Sequence, residues 1–241
     1  MEQTTGSDGL LAAHGVLRTN DLDAARHAVA GRFCDHRLTL TAGHSVSVRH
    51  NHVGGQHISL NVLGYGGDVA IDPGMLGDFY LLQIPLTGEA LIAHRGEEVC
   101  ASPERASILN PDRPTRMRWR ADCRKLLVQI EERFLHSVAE DAAGAALPGP
   151  VRFDPAVDLR GRPGRRLRAL ALTMAQAVDA GRLYTGKPGL REMAAERELA
   201  RQLLALQPSN VSHMVRADTG AARPVHLRRA VEFIHSHYAE P

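Results

Sequence analysis

With 241 residues, 44% of them hydrophobic and 23% charged, the chain is long enough to bury one large core or two ordinary ones, and its formal net charge of +2 lacks the bias of a whole-chain nucleic-acid binder. Aromatic residues make up only 4%, which argues against a base-stacking platform for single-stranded nucleic acid. No stretch approaches about 18 uninterrupted apolar residues, and the start from Met1 to Asp8 is polar, so neither a membrane-spanning helix nor a signal peptide is expected and the expected location is cytoplasmic.

Along the chain, Asn20 or Asp21 can cap a short helix whose apolar positions Leu22, Ala25, Val29 and Phe33 follow helical spacing. From His36 to Ile130 the texture changes to short runs of Val, Ile, Leu and Thr. These are punctuated by Gly54-Gly55, Gly66-Gly67-Asp68, Asp72-Pro73-Gly74, Arg95-Gly96 and Asn110-Pro111-Asp112. About eight strands at this spacing predict a sandwich or small barrel. The alternation of Ile58, Leu60 and Val62 against His57, Ser59 and Asn61 predicts a half-buried strand, with the apolar set expected inside the barrel. Phe79 to Leu86 is apolar on both faces and reads as a central strand.

The period then switches. Glu131 to Ala143 is helical, and a Pro/Gly-rich connector from Leu147 to Gly164 leads into two longer amphipathic segments. Leu167, Leu170, Ala171, Met174 and Val178 form one stripe; Ala195, Leu199, Leu203 and Leu206 form the other. Gly181 to Gly189 lets the chain reverse, which predicts an antiparallel helical hairpin. Its stripes either cover the barrel or associate with a second copy. The expected dimerisation residues are Leu167, Leu170, Met174, Leu199, Leu203 and Leu206. Pro208 to Arg223 reads as a polar linker, and a fresh amphipathic helix begins at His226 with Leu227, Ala230, Val231, Ile234 and Tyr238 along one side. A helix of that kind cannot bury its stripe alone, so the sequence is expected to break off just inside a second domain.

Several words in this order of elements resemble the amino-terminal regulatory domain of AraC/XylS-type transcriptional regulators. They are Phe33-Cys34-Asp35-His36-Arg37-Leu38, Ile58-Ser59-Leu60 through Tyr65-Gly66, the long run Asp78-Phe79-Tyr80-Leu81-Leu82-Gln83-Ile84-Pro85-Leu86, and Phe153-Asp154-Pro155 with Asp158-Leu159. Leu203 to Ser212 is similar to the word that ends this domain near the regulators of aromatic-acid catabolism, with Ser209 and Val211 where that subgroup has His and Tyr.

The resemblance implies an α+β chain: a cupin-like β-barrel carrying an effector pocket, followed by an antiparallel helical hairpin used for dimerisation. The expected organisation is a tail and short helix over 1–35, the barrel over 36–145, connector and helices over 146–207, a linker over 208–224, and over 225–241 the first helix of a carboxy-terminal domain with helix-turn-helix units. It implies a homodimer, a small-molecule effector of the aromatic or organic acid type, and DNA contact through that further domain, the recognition helices not being part of this sequence. Arg228 and Arg229 are then expected to touch DNA phosphate. For the pocket, His36, Tyr80, Gln83, Arg95 and Arg116 are the expected ligand-binding residues, the arginines because a guanidinium clamps a carboxylate bidentately.

The chemical rival is a metal-dependent cupin-type enzyme using His50, His52 and His57, since an H-x-H pair on one strand face begins a histidine metal site. Against it, Val53-Gly54-Gly55-Gln56 supplies no following carboxylate, and Arg49 adjoins the pair. There is no G-x-S-x-G elbow, H-E-x-x-H, P-loop or G-x-G-x-x-G. Cys34, Cys100 and Cys123 are odd in number with no C-x-x-C pair, and are expected as buried reduced thiols. No catalytic residue, metal or cofactor is expected, and the third reading is a bare dimerisation module with a solid core.

Overall fold

The structure is a computed structural model that describes residues 9–186 and 189–217. Twelve strands among these residues form two antiparallel sheets. The first sheet has the order β1 (Gly15–Thr19), β3 (Val48–Gly54), β4 (Ile58–Gly64), β11 (Arg124–Glu131), β6 (Phe79–Thr87), β9 (Arg105–Leu109) and β12 (Ala156–Asp158). The second has β2 (Arg37–Ala42), β5 (Asp68–Gly74), β10 (Thr115–Trp119), β7 (Ala90–His94) and β8 (Glu97–Ala101). Helix α1 (Leu22–Ala30) lies beside the barrel. On the outer face of the larger sheet sit α2 (Glu132–Ala143), α3 (Arg162–Asp179), α4 (Leu190–Leu206) and the short α5 (Ser212–Ala217).

Local chemistry explains several boundaries. The Asp21 carboxylate accepts from the backbone N–H groups of Asp23 and Ala24 and starts α1, one of the two expected caps. Arg95 and Gly96 have φ of 56° and 80°, the pair of left-handed residues that a two-residue hairpin between β7 and β8 demands.

Two cores result, one on each face of the larger sheet. Between the sheets lie Leu63, Tyr65, Ile71, Phe79, Leu81, Trp119 and Leu127, closed at one side by Ala25 and Val29 of α1. On the other face, Ile58, Leu60, Val62, Tyr80, Leu82, Ile84, Leu126, Val128 and Ile130 meet the helices. This corrects the orientation expected for β4. Its apolar set points away from the barrel interior because the helical layer offers a larger apolar surface, and Ser59 and Asn61 take the other face of the strand.

The helical stripes are likewise committed within the chain. Leu167, Met174, Leu199 and Leu203 are buried in the core between helices and sheet, with Leu170 and Leu206 half-buried against it, so these side chains are not an open dimerisation face. Burying each such side chain stabilises the fold by roughly 1.5–3 kcal/mol, and that is what holds α3 and α4 to the sheet.

Three further elements depart from expectation. The tail contributes β1, which pairs with β3, and the connector contributes β12, which extends the sheet beside β9. The segment read as a linker opens with α5, because Val211 and Val215 add to the helical core. The word around Gln207 pins the connector: the Gln207 amide donates to the carbonyls of Asp154 and Ala156, and Asn210 donates to Pro150 and accepts from the Arg152 N–H. Of the cysteines, Cys123 is buried, Cys34 is half-buried and Cys100 is exposed, so the expectation of buried thiols holds for Cys123 alone.

Candidate functional site

Alternation along β4, β6 and β11 sends polar side chains as well as apolar ones into the barrel. Near the β3–β4 hairpin, the Asn61 side-chain oxygen accepts from His50 Nε2 at 2.9 Å and His52 Nδ1 at 2.8 Å, while its amide donates to Ser59 Oγ, which donates to Gln129 Oε1. A carbonyl oxygen can only accept, so this network assigns the proton to Nε2 of His50 and to Nδ1 of His52. Burial is the main cause that lowers His50 to about 4, against the opposing pull of the Asn61 bond, and the ring stays neutral at pH 7. Its Nδ1 is buried without a partner, and Phe33 stacks on the ring.

Also in the interior is Lys125 on β11, which is 0% exposed. Its ammonium nitrogen lies 2.7 Å from Gln83 Oε1 and 4.1 Å from the centre of the Trp119 ring. Among the described residues no carboxylate forms an ion pair with it. Burial lowers Lys125 to about 7, opposed by the nearby Cys123. The Gln83 amide in turn donates only to Met117 Sδ, at 3.2 Å, a weak acceptor.

Gln83, Met117 and Trp119 line a cavity whose remaining walls include Val29, Phe33, His36, Leu63 and Leu81. The cavity volume is about 40 Å³, room for two or three waters. Trp119 Nε1 and His36 Nε2 are buried and unpartnered. His36 holds its Nδ1 against the Cys34 carbonyl, and burial lowers its pKa.

Of the residues expected to bind ligand, the structure therefore brings His36 and Gln83 to one cavity and separates the other three. Tyr80 faces the helical layer, where its hydroxyl donates to the Val151 carbonyl at 2.6 Å. Arg95 sits on the β7–β8 turn, where it donates to the Phe153 carbonyl and pairs with Asp154 at 3.6 Å. Arg116 projects from the outer face of the smaller sheet, its side chain 81% exposed and paired with Asp72 at 3.6 Å. Side chains an odd number of positions apart on a strand point to opposite faces, and Tyr80 and Gln83, three apart, therefore part company.

The histidine triad also divides. His50 and His52 share Asn61, whereas His57 pairs with Glu131 at 2.7 Å and stacks on Phe134 of α2. Among the described residues no three His, Cys, Asp or Glu side chains are grouped to hold a metal ion. Arg228 and Arg229 lie outside the described residues.

Sequence reasoning passed over Lys125 and Glu196. The signal for Lys125 is the period of its strand: Leu126, Val128 and Ile130 form an unbroken apolar set, so Lys125 and Leu127 must share the other face, and that face is the barrel interior. Glu196 on α4 is also 0% exposed. Its carboxylate accepts from the backbone N–H groups of Gln56, His57 and Ile58 and from the Tyr184 hydroxyl, clasping the β3–β4 hairpin to the helical layer. Gly55 makes room for this clasp, since a Cβ there would collide with Glu196 Oε1 and the Tyr184 ring. Only the tertiary fold reveals that contact.

Two facing antiparallel sheets with polar groups between them and helices covering one outer face define a cupin-like α+β domain. Residues 25–205 match the AraC-binding-like domain, and the chain belongs to that family, that of the amino-terminal effector-binding domains of AraC-type regulators. It is 24% identical over 227 residues to the "Probable thc operon regulatory protein" of Rhodococcus erythropolis, a similarity covering 92% of this chain and 68% of the relative. The crystal structure of the AraC-like transcriptional activator CuxR superposes on 91% of this chain and 77% of its own with a TM-score of 0.53 at 14% identity, a likeness of fold. The cupin domain of Schizosaccharomyces pombe Cnp3 covers 46% of this chain and 77% of its own, with a TM-score of 0.31 at 8% identity. Among the described residues no helix is long and apolar enough to cross a membrane.

Proposed function

We propose that this chain senses a small molecule inside its barrel and passes the signal through its helices to the DNA-binding part of an AraC/XylS-type regulator, without catalysing a reaction. The observation that carries the reading is the buried cavity with unpartnered polar groups lying in the same barrel whose hairpin is clasped by Glu196 of α4. β4 carries Asn61 and Leu63 toward the barrel interior and begins at Ile58, whose N–H is held by Glu196, so a ligand that shifts β4 also loads α4. Two arrangements of the helical layer would then differ in affinity for the effector, and the effector selects between them by that difference alone.

The domain boundaries follow the same reading: a sensor barrel over 36–145 completed by β1 and β12, helices that run on through α5, and, outside the described residues, a DNA-binding part in which Arg228 and Arg229 meet phosphate. The protein works in the cytoplasm as a homodimer whose contact lies outside the buried helical stripes. A thermal-shift screen of small molecules against the 241-residue chain tests the sensor reading, because a ligand specific for the native state must raise its Tm. At least one compound is expected to do so. In the full-length regulator it is expected to change operator affinity, and Glu196→Gln is expected to weaken that coupling more than it weakens ligand binding. A screen without a stabilising compound overturns the reading.

A further inference from the structure

Around Gln83, buried hydrogen-bond donors lack strong acceptors. Lys125 carries three N–H bonds when protonated, and the structure occupies them with Gln83 Oε1 and the Trp119 face. The Gln83 amide carries two more and meets only a thioether sulfur. Trp119 Nε1–H meets nothing. Of these, Gln83 and Trp119 line the cavity and Lys125 stands behind them, while much of the remaining wall is apolar, formed by Val29, Phe33, Leu63, Ile71, Leu81 and Leu127. A buried donor without an acceptor costs about 1–3 kcal/mol, so the arrangement favours an incoming group rich in acceptors and poor in donors.

Resting on the sensor reading above, we propose that the effector is a carboxylate with a compact apolar body, its oxygens received by the Gln83 amide and Trp119 Nε1 and its charge matched by Lys125 behind them. The anion supplies the counter-charge that the barrel withholds from Lys125. At the mouth, His36 Nδ1 donates to the Cys34 carbonyl, which leaves Nε2 of the neutral ring as an acceptor for a hydroxyl or N–H substituent on the body. Free space of about 40 Å³ admits a carboxylate and little more. The body therefore enters by moving α1 and Phe33, which close the side of the cavity.

Binding also moves a proton. The titratable neighbours of Lys125 are Cys123, just before β11, whose thiol burial pushes up to about 11, and Tyr65, packed on Trp119, whose hydroxyl burial holds far above its ordinary value. Both stay neutral between pH 6 and 9. The flanking strands present Leu63 and Pro85 opposite Lys125, neither of which titrates. An anion placed near Lys125 draws a proton onto it, so affinity is greatest between about pH 5, where the acid is still ionised, and pH 7, and falls by up to about tenfold per pH unit above that.

The test is calorimetric titration of the 241-residue chain with monocarboxylates from acetate to benzoate, each beside its primary amide and its aldehyde. At least one acid is expected to bind at least tenfold more tightly than its amide and to take up a proton at pH 8. Lys125→Met is expected to lose at least tenfold in affinity for that acid. Gln83→Glu is expected to abolish binding while keeping a folded Tm, because it places a permanent counter-ion on Lys125. The inference is overturned if no acid binds, if amides bind as well as acids, if Lys125→Met leaves the affinity unchanged, or if an aldehyde is trapped on Lys125 by borohydride. Neutral ligands that raise the Tm while every acid fails would sink the carboxylate class and leave the sensor reading standing; failure of all compounds would sink both.

Discussion

Lys125 makes a measurable stability prediction that needs no ligand. Its ordinary pKa of 10.5 is lowered to about 7 in the fold by burial. Below pH 7 the side chain is charged in both the folded and the unfolded chain, and the folded state carries the full cost of the buried charge. Between pH 7 and 10.5 the unfolded chain holds a proton that the folded chain has released, so the free energy of unfolding rises with pH.

From pH 6 to pH 10 the unbalanced proton spans about three pH units at 1.36 kcal/mol each, or about 4 kcal/mol. Attraction to the Trp119 face trims this to about 2–4 kcal/mol. Lys125→Met removes the titration and keeps most of the volume. It orphans Gln83 Oε1 at a cost of about 1–3 kcal/mol, a term that does not vary with pH. The stability of Lys125→Met minus that of the parent is therefore expected to fall by about 2–4 kcal/mol between pH 6 and pH 10. Urea unfolding of both proteins at pH 6, 7, 8, 9 and 10 reads it directly, and other groups that titrate in this range cancel in the difference. A difference that is flat with pH, or that rises, refutes the assignment of Lys125 to a dry, uncompensated interior.

Gly55→Ala forces the Glu196 carboxylate out of its clasp and is expected to lower stability by about 2–3 kcal/mol, seen as a reduced Tm. Tyr80→Phe deletes the hydrogen bond to the Val151 carbonyl and is expected to cost about 1 kcal/mol in denaturant unfolding, with effector affinity unchanged because Tyr80 is on the other face of β6. Leu203→Ala is expected to destabilise the chain by about 2–5 kcal/mol while sedimentation velocity shows the same subunit number, since Leu203 fills the intrachain core; a shift to monomer at unchanged stability would contradict that placement.

Local patterns alone determined much of this molecule. Asp21 as a cap, the strand texture from His36 to Ile130, the change to helical period at Glu131 and the reversal between α3 and α4 all rest on neighbours within a few residues, and such signals survive in one dimension. The family words were legible as well, and the structure gives two of them a physical job: Phe153 and Gln207 lie where the connector is pinned to the segment after α4.

What the tertiary structure decided is which face of each strand looks into the barrel. Alternation places Ile58, Leu60 and Val62 together but does not say whether the barrel or the helical layer receives them. The answer depends on a second apolar surface built by helices that begin more than 60 positions further along the chain, at Glu132, and end beyond Leu203. That choice turned Asn61, Gln83 and Lys125 inward, sent Tyr80 outward, and buried the stripes of α3 and α4 that could have served a dimer. The clasp of Glu196 on Gln56, His57 and Ile58 spans about 140 residues. No periodicity encodes it, because a carboxylate buried by distant backbone N–H groups reads, in sequence, as one more charge on a helix.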